Sequence, residues 1–160
     1  MNNENINGCR FIVVVIALLL ASLSFADGYD RSAFNFKSYK APACAVGFYT
    51  NQTCDRINID HVVSLKDAYE SGASGWDDSA KEAFANDRSN HVPSCARVNS
   101  SKGSEGPSDF LRRSSDGKGL DYEIVNFCEY VHKYYVVKKK YGLSFDNNKA
   151  SPFEGCGLEY

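Results

Sequence analysis

The sequence predicts a small α+β domain stapled by disulfides, and three observations carry that expectation. An export-type leader places the cysteines in an oxidising compartment. Short runs of strand composition alternate with turn residues. Several segments with helix-capping residues surround them, the longest near the C-terminus.

Arg10 precedes an apolar run from Phe11 to Phe25 that only Ser22 and Ser24 interrupt, and Ser24-Phe25-Ala26 supplies a small-x-small cleavage site before Asp27. Residues 1–26 read as a secretory signal peptide, which predicts a secreted protein, extracellular or periplasmic. The rival is an uncleaved anchor, but the run is short for a bilayer span, which takes about 20 residues. Residues 27–160 then form one domain. The leader holds one acid, Glu4, and one base, Arg10, so the net charge is −2 with or without it. Such a balance does not steer the whole molecule to nucleic acid, and any contact of that kind needs a local basic patch. Of the 6 cysteines, Cys9 leaves with the leader, and Cys44, Cys54, Cys95, Cys128 and Cys156 remain. An odd number predicts two bridges and one thiol, with connectivity open. No Cys-x-x-Cys pair or Cys/His cluster favours zinc.

Asp27 to Lys40 is a polar, aromatic lead-in whose rings pack on the body. Cys44 to Tyr49 and Arg56 to Val63 have strand composition, and Thr50-Asn51-Gln52-Thr53 between them predicts a hairpin. Ser64 caps a short helix, Leu65 to Glu70, ended by Ser71-Gly72. Asp77 or Asp78 caps a second helix through Phe84. His91-Val92 reads as a very short strand stopped by Pro93. Ser94 caps a third helix through Ser101, with Gly103 as its stop. Residues 102–119 form a loop rich in Gly, Ser, Asp and Lys. Asp121 caps the longest helix, Tyr122 to Tyr141, with Ile124, Cys128, Val131 and Tyr135 as its buried stripe.

The stretch that carries chemistry is Ile59-Asp60-His61-Val62-Val63. It sets an acid beside a histidine on a short strand. Neighbouring strand residues point to opposite faces, and one site uses both only where the strand ends or twists. Downstream come Ser-Gly-Ala-Ser-Gly-Trp (71–76), Phe-Ala-Asn-Asp-x-x-Asn (84–90), Asn-x-Ser-Lys-Gly (99–103) and Pro-Ser-Asp-Phe-Leu (107–111), then Cys128-Glu129-Tyr130 and Lys139 to Leu143. In this order and spacing the series resembles the secreted branch of the HNH nuclease superfamily, the branch related to the C-terminal domain of GmrSD-type restriction enzymes. The likeness runs from about Tyr29 to Asn148.

The resemblance implies a ββα-metal core over about 44–111, in which a hairpin, a loop and a helix hold one divalent cation. It implies His61 as general base, Asp60 and Asn99 as metal ligands, and Asn90 as the residue that orients the histidine. The residues themselves are consistent with those roles. A neutral histidine takes a proton from water near pH 7, and a carbonyl acceptor on its other nitrogen fixes the tautomer; Asn90 is a candidate for that acceptor. One carboxylate and one amide oxygen suit Mg²⁺ first, then Mn²⁺ or Ca²⁺. The implied products carry 5′-phosphate and 3′-hydroxyl ends.

Each residue has a plainer reading beside this one. Asp60-His61 alone is a pair at a strand edge, and Asn90 alone is a turn residue. Asn99-Ser100-Ser101 and Asn51-Gln52-Thr53 are glycosylation sequons, and a sugar on Asn99 contradicts the ligand role. Lys102 is either a helix-end cation or a phosphate contact. His91 is either a second phosphate contact or a partly buried structural histidine, and His132 reads as a surface residue. Lys133, Lys138, Lys139 and Lys140, interleaved with tyrosines, form a solvated face or a track for a nucleic-acid backbone, with Arg112 and Arg113 as a second group. Ser104 and Asp109-Phe110 depart from the family's pattern, and residues 112–120 are longer than usual in it. The expectation is a secreted, metal-dependent endonuclease with little sequence preference, since no helix-turn-helix or zinc finger is present to read sequence; DNA is the favoured substrate and RNA the second, and the oligomeric state is open with a monomer favoured. Two rivals stand beside it. One is a non-catalytic secreted module that binds through a tyrosine-rich surface; the other is a hydrolase of a different ester with the same metal.

Overall fold

A computed structural model of the protein describes residues 28–40, 46–110 and 123–159. The leader, Cys44, Arg112, Arg113 and Asp121-Tyr122 lie outside the described residues. Among the described residues no helix is long and apolar enough to cross a membrane.

Among the described residues, two small antiparallel sheets and five α-helices make an α+β fold. The elements run β1 (Val46–Gly47), β2 (Gln52–Thr53), β3 (Ile57–His61), α1 (Leu65–Glu70), α2 (Asp78–Ala85), β4 (His91–Cys95), α3 (Ala96–Lys102), α4 (Phe127–Lys140) and α5 (Ser151–Glu154). β1 pairs with β2, and β3 pairs with β4. In the second sheet Ile57 faces Cys95, Ile59 faces Pro93, Asp60 faces Val92 and His61 faces His91. α3 packs across both β3 and β4. Residues 62–90, with α1 and α2, bridge the two strands and return the chain for antiparallel pairing.

The expected hairpin between Cys44–Tyr49 and Arg56–Val63 is therefore corrected. Asn51 sits at φ 53, and its amide closes on the Gly47 carbonyl at 2.8 Å. That tight turn ends the first hairpin after two residues a side and leaves β3 to find another partner. The Cys54–Cys95 disulfide clamps the start of β3 to the end of β4, and Cys128–Cys156 ties α4 to the C-terminal segment. Gly47 lies against the first bridge: a Cβ there would stand 2.8 Å from Cys95 Sγ, so only glycine fits.

β4 runs through Pro93 rather than stopping before it. The sheet has only two strands, so a residue without an N–H is tolerated on the edge. The Pro93 carbonyl still accepts from Phe48 N at 2.8 Å.

Helix starts follow capping chemistry. Ser64 Oγ accepts from Asp67 N at 3.0 Å, and Asp77 Oδ1 accepts from Ala80 N at 2.7 Å. α3 begins after Cys95, not Ser94, and makes no side-chain cap bond. α4 begins at Phe127, later than expected, because Asn126 is committed elsewhere: its Nδ2 donates to the Phe48 carbonyl at 2.6 Å. Ile124 is buried but precedes the helix, and Cys128 is exposed in its disulfide. The stripe α4 buries is Tyr130, Val131, Tyr134, Val137 and Lys138.

The core is aromatic. Tyr49, Phe110 and Tyr130 meet edge to face with centroids 4.9, 5.3 and 5.6 Å apart. Lys138 belongs to this interior, which corrects its expected place on a solvated or substrate-tracking face. It is 0% exposed. Its ammonium sits 3.0 Å from Asp67 Oδ1 and donates to Ser71 Oγ and the Ser144 carbonyl at 2.8 Å each. Asp67 Oδ2 accepts from Tyr134 at 2.7 Å. Lys138 is drawn inward because a buried carboxylate needs a paired cation.

Removing one partner of this pair strands the other charge. Lys138→Met is expected to lower the unfolding free energy in urea by about 3–5 kcal/mol. Adding Asp67→Asn to it should cost less than the sum of the single changes. Stability equal to the wild type in the single variant would contradict this account of the pair.

Candidate functional site

Asp60 and His61 close β3, and Asn99 lies on α3, which packs over that strand. The structure brings all three to the wall of one cleft of about 350 Å³. Arg31, from the lead-in, and Lys66, from α1, line the same cleft. The strand bends away after His61 because Asn90 captures its end. Val62 N donates to the Asn90 carbonyl at 2.8 Å, Val63 N donates to Asn90 Oδ1 at 2.8 Å, and Asn90 Nδ2 donates back to the Val63 carbonyl at 3.0 Å. Asn90 is fully buried. It fixes the backbone beyond His61 and does not supply the imidazole's acceptor, which corrects that expectation. The acceptor is the Ala85 carbonyl at the end of α2, 2.7 Å from His61 Nε2.

A carbonyl only accepts, so His61 carries its proton on Nε2 and Nδ1 is the basic position of the ring. Burial pushes the imidazole down to about 3; the Ala85 carbonyl opposes this, while His91, Arg31 and Lys102 add to it. The ring is therefore neutral at any physiological pH. Phe36 and His91 hold it edge to face, with centroids 4.6 and 4.7 Å away.

The Asp60 carboxylate is anchored through one oxygen. Oδ2 accepts from the Tyr49 hydroxyl at 2.6 Å and lies 3.2 Å from the Lys102 ammonium. Lys102 also donates to the His61 carbonyl at 2.8 Å. Among the described residues both contacts of Asp60 fall on Oδ2, so Oδ1 is the oxygen a cation in the cleft would use. Lys102 is 0% exposed. It is neither a helix-end surface cation nor a direct phosphate contact, because its ammonium is spent on Asp60 and the strand end.

The donor set is hard but small. Asp60 Oδ1 and the Asn99 side-chain oxygen are the candidates, and the described residues contain no cluster of three or more His, Cys, Asp or Glu. Lys102 already offsets the charge of Asp60. These residues fit a cation of the Mg²⁺ kind, which takes one or two protein oxygens and completes its shell from water and a substrate phosphate. They do not fit a cation that needs an all-protein cage.

The remaining expected residues stand apart from the cleft. His91 is half-buried, and its Nε2 meets the Ala85 carbonyl at 3.0 Å, so one oxygen serves both histidines. It buttresses His61 rather than facing the cleft. Lys139 and Lys140 are exposed but line no part of it: Lys140 pairs with Asp87 Oδ2 at 2.7 Å, and Lys139 stands 5.7 Å over Tyr135. His132 is exposed, as expected, with Nε2 2.7 Å from the Cys156 carbonyl. Sequence reasoning missed Arg31, Tyr49, Lys66 and Ala85. Nothing local marks Tyr49, Lys66 or Ala85: Tyr49 and Ala85 act on Asp60 and His61 from 11 and 24 residues away along the chain. Arg31 had one signal. Asp30 caps the short turn Arg31–Phe34, its Oδ1 accepting from Ser32 N at 2.8 Å, so Arg31 stands on ordered backbone.

The depressed His61 value sets a pH dependence. Below about pH 6.5 the unfolded chain binds a proton at this residue, while the folded chain refuses it until about 3. Stability is therefore lost as pH falls through that window, by up to about 1.4 kcal/mol per unit from this group. Urea titrations from pH 7 to 4 should show a shallower loss in His61→Gln than in the wild type. Equal slopes would show that the imidazole is not held neutral by burial.

Over 97 residues the chain is 33% identical to an uncharacterized secreted protein of Arthroderma benhamiae (strain ATCC MYA-4681 / CBS 112371), covering 59% of this chain and 43% of that protein. The chain thus spans less than half the length of this relative. No family model matches the chain, and no solved structure matches it.

Proposed function

We propose that this protein is a secreted, divalent-metal-dependent endonuclease that hydrolyses phosphodiester bonds in DNA, with RNA as a second substrate, and reads little sequence. The observation that carries the reading is the meeting of Asp60, His61 and Asn99 on one cleft. The likeness of their motifs to the secreted HNH branch supports it. So does the charge of the walls: Arg31 and Lys66 are cations on a chain whose net charge is −2, Asp60 is already paired, and Lys66 has only an exposed partner, Glu70, at 3.6 Å. Secretion is supported by the name of the relative and by two disulfides.

Arg31 and Lys66 draw the phosphodiester into the cleft. Asp60 and Asn99 would hold the cation. When bound, that ion supplies charge stabilisation at the phosphate and the leaving 3′-oxygen. His61 Nδ1 takes the proton of the attacking water, and the Ala85 carbonyl keeps the opposite nitrogen protonated and steadies the imidazolium that forms. An incoming phosphate adds negative charge beside the ring and raises its proton affinity, an effect that a cation in the cleft would oppose.

Plasmid nicking by the mature protein tests the reading. Mg²⁺ or Mn²⁺ should support nicking and EDTA should abolish it, with His61→Ala slower by about 10²–10⁴-fold. Asp60→Asn and Asn99→Ala should raise the metal concentration needed. Unchanged activity in His61→Ala rejects the base assignment. A wild-type protein that cuts neither DNA nor RNA with any of these metals rejects the nuclease itself.

A further inference from the structure

A second cleft of about 540 Å³ adjoins the first and shares Arg31, Ile59 and Asn99 with it. Its other walls include Phe36, Tyr39 and Lys40 of the lead-in and Asn58 of β3. The two clefts follow one strand: Ile57, Asn58 and Ile59 line the second, and Ile59, Asp60 and His61 line the first. Asn58 and Asp60 are two residues apart on β3, or about 7 Å, a distance on the scale of one nucleotide. The charged residues on the second cleft are Arg31 and Lys40, both positive. Its aromatic wall is held in place. The Arg88 guanidinium stacks 3.6 Å from the Tyr39 ring centre, and Phe36 and His91 meet that ring at 6.0 and 5.5 Å.

We infer that this second cleft is a binding subsite for an unpaired nucleotide next to the scissile phosphate, with Arg31 and Lys40 on the sugar-phosphate backbone and Tyr39 beside the base. The inference rests on the nuclease reading for its place in a reaction, though not for its binding. A cationic groove interleaved with fixed aromatic rings is the means by which proteins hold single strands without reading sequence. A concave cleft also selects against duplex, whose paired bases cannot leave the stack without cost and whose grooves are entered by a protruding helix or ribbon. The lead-in is thus a wall of the substrate path as well as a packing element. The preferred substrate is single-stranded DNA or RNA, or a frayed segment of duplex.

Fluorescence anisotropy with a labelled oligothymidylate and a duplex of equal length, in EDTA at low salt, tests the inference on the mature protein. Wild type should bind the single strand more tightly than the duplex. Tyr39→Ala should weaken single-strand binding by about five- to a hundredfold, with Tyr39→Phe near the wild type. Lys40→Ala, at an exposed position, should reduce the salt slope of single-strand binding by about 0.7. The subsite is overturned if the wild type prefers duplex or binds neither probe, or if Lys40→Ala and Tyr39→Ala both bind as the wild type does. Single-strand binding that follows this pattern in a protein that cuts nothing would remove the nuclease reading and leave the subsite standing.

Discussion

The buried pair of Asp60 and Lys102 is the constraint on which the site depends. A carboxylate that is 5% exposed must be matched by a cation and hydrogen-bond donors, or the charge is costly to hold. Lys102, at the end of α3, supplies the cation and also takes the His61 carbonyl. Tyr49, from the turn after β1, supplies the donor. One carboxylate oxygen thereby fastens the end of β3 to α3 and to the aromatic core. The other makes no contact among the described residues. The same contacts that satisfy a buried charge also aim it.

The pattern occurs a second time nearby. Asp67 accepts from Tyr134 and pairs with Lys138, both lysines being fully buried. Tyr130 joins the two groups, its ring 5.3 Å from Tyr49 and 6.1 Å from Tyr134. Among the described residues its hydroxyl has no partner. A core built this way accepts charges in exchange for fixed geometry, since each ionic contact holds only in one arrangement of strand and helix.

Around the cleft the electrostatics run against the chain's overall sign. Asp60 is neutralised by Lys102, and His61 is kept uncharged by burial. Arg31 and Lys40 remain on the walls of the two clefts, with Lys66 beside them and paired to Glu70 at 3.6 Å. A protein of net charge −2 thus presents a cationic trough along β3. Field lines from a local patch, not from net charge, decide which ligand approaches.

Local chemistry was legible from the residues alone. α1 has the bounds that Ser64 and Ser71-Gly72 predicted, because capping acts between residues three or four apart. Asp77 starts α2 for the same reason. The adjacency of Asp60 and His61 and their distance along the chain from Asn99 were visible too, as was an odd set of cysteines suited to two bridges. The tertiary structure alone decided that β3 pairs with residues 91–95, that Ala85 receives both histidines, and that Lys102 and Lys138 turn inward. It also decided that the lead-in lines the cleft. Each of these is a contact between groups distant in sequence, where the balance of desolvation against a charged or hydrogen-bonded partner is set. A lysine at a helix end reads the same in sequence whether or not a carboxylate waits beneath it, and only the folded arrangement of the two chooses between solvent and core.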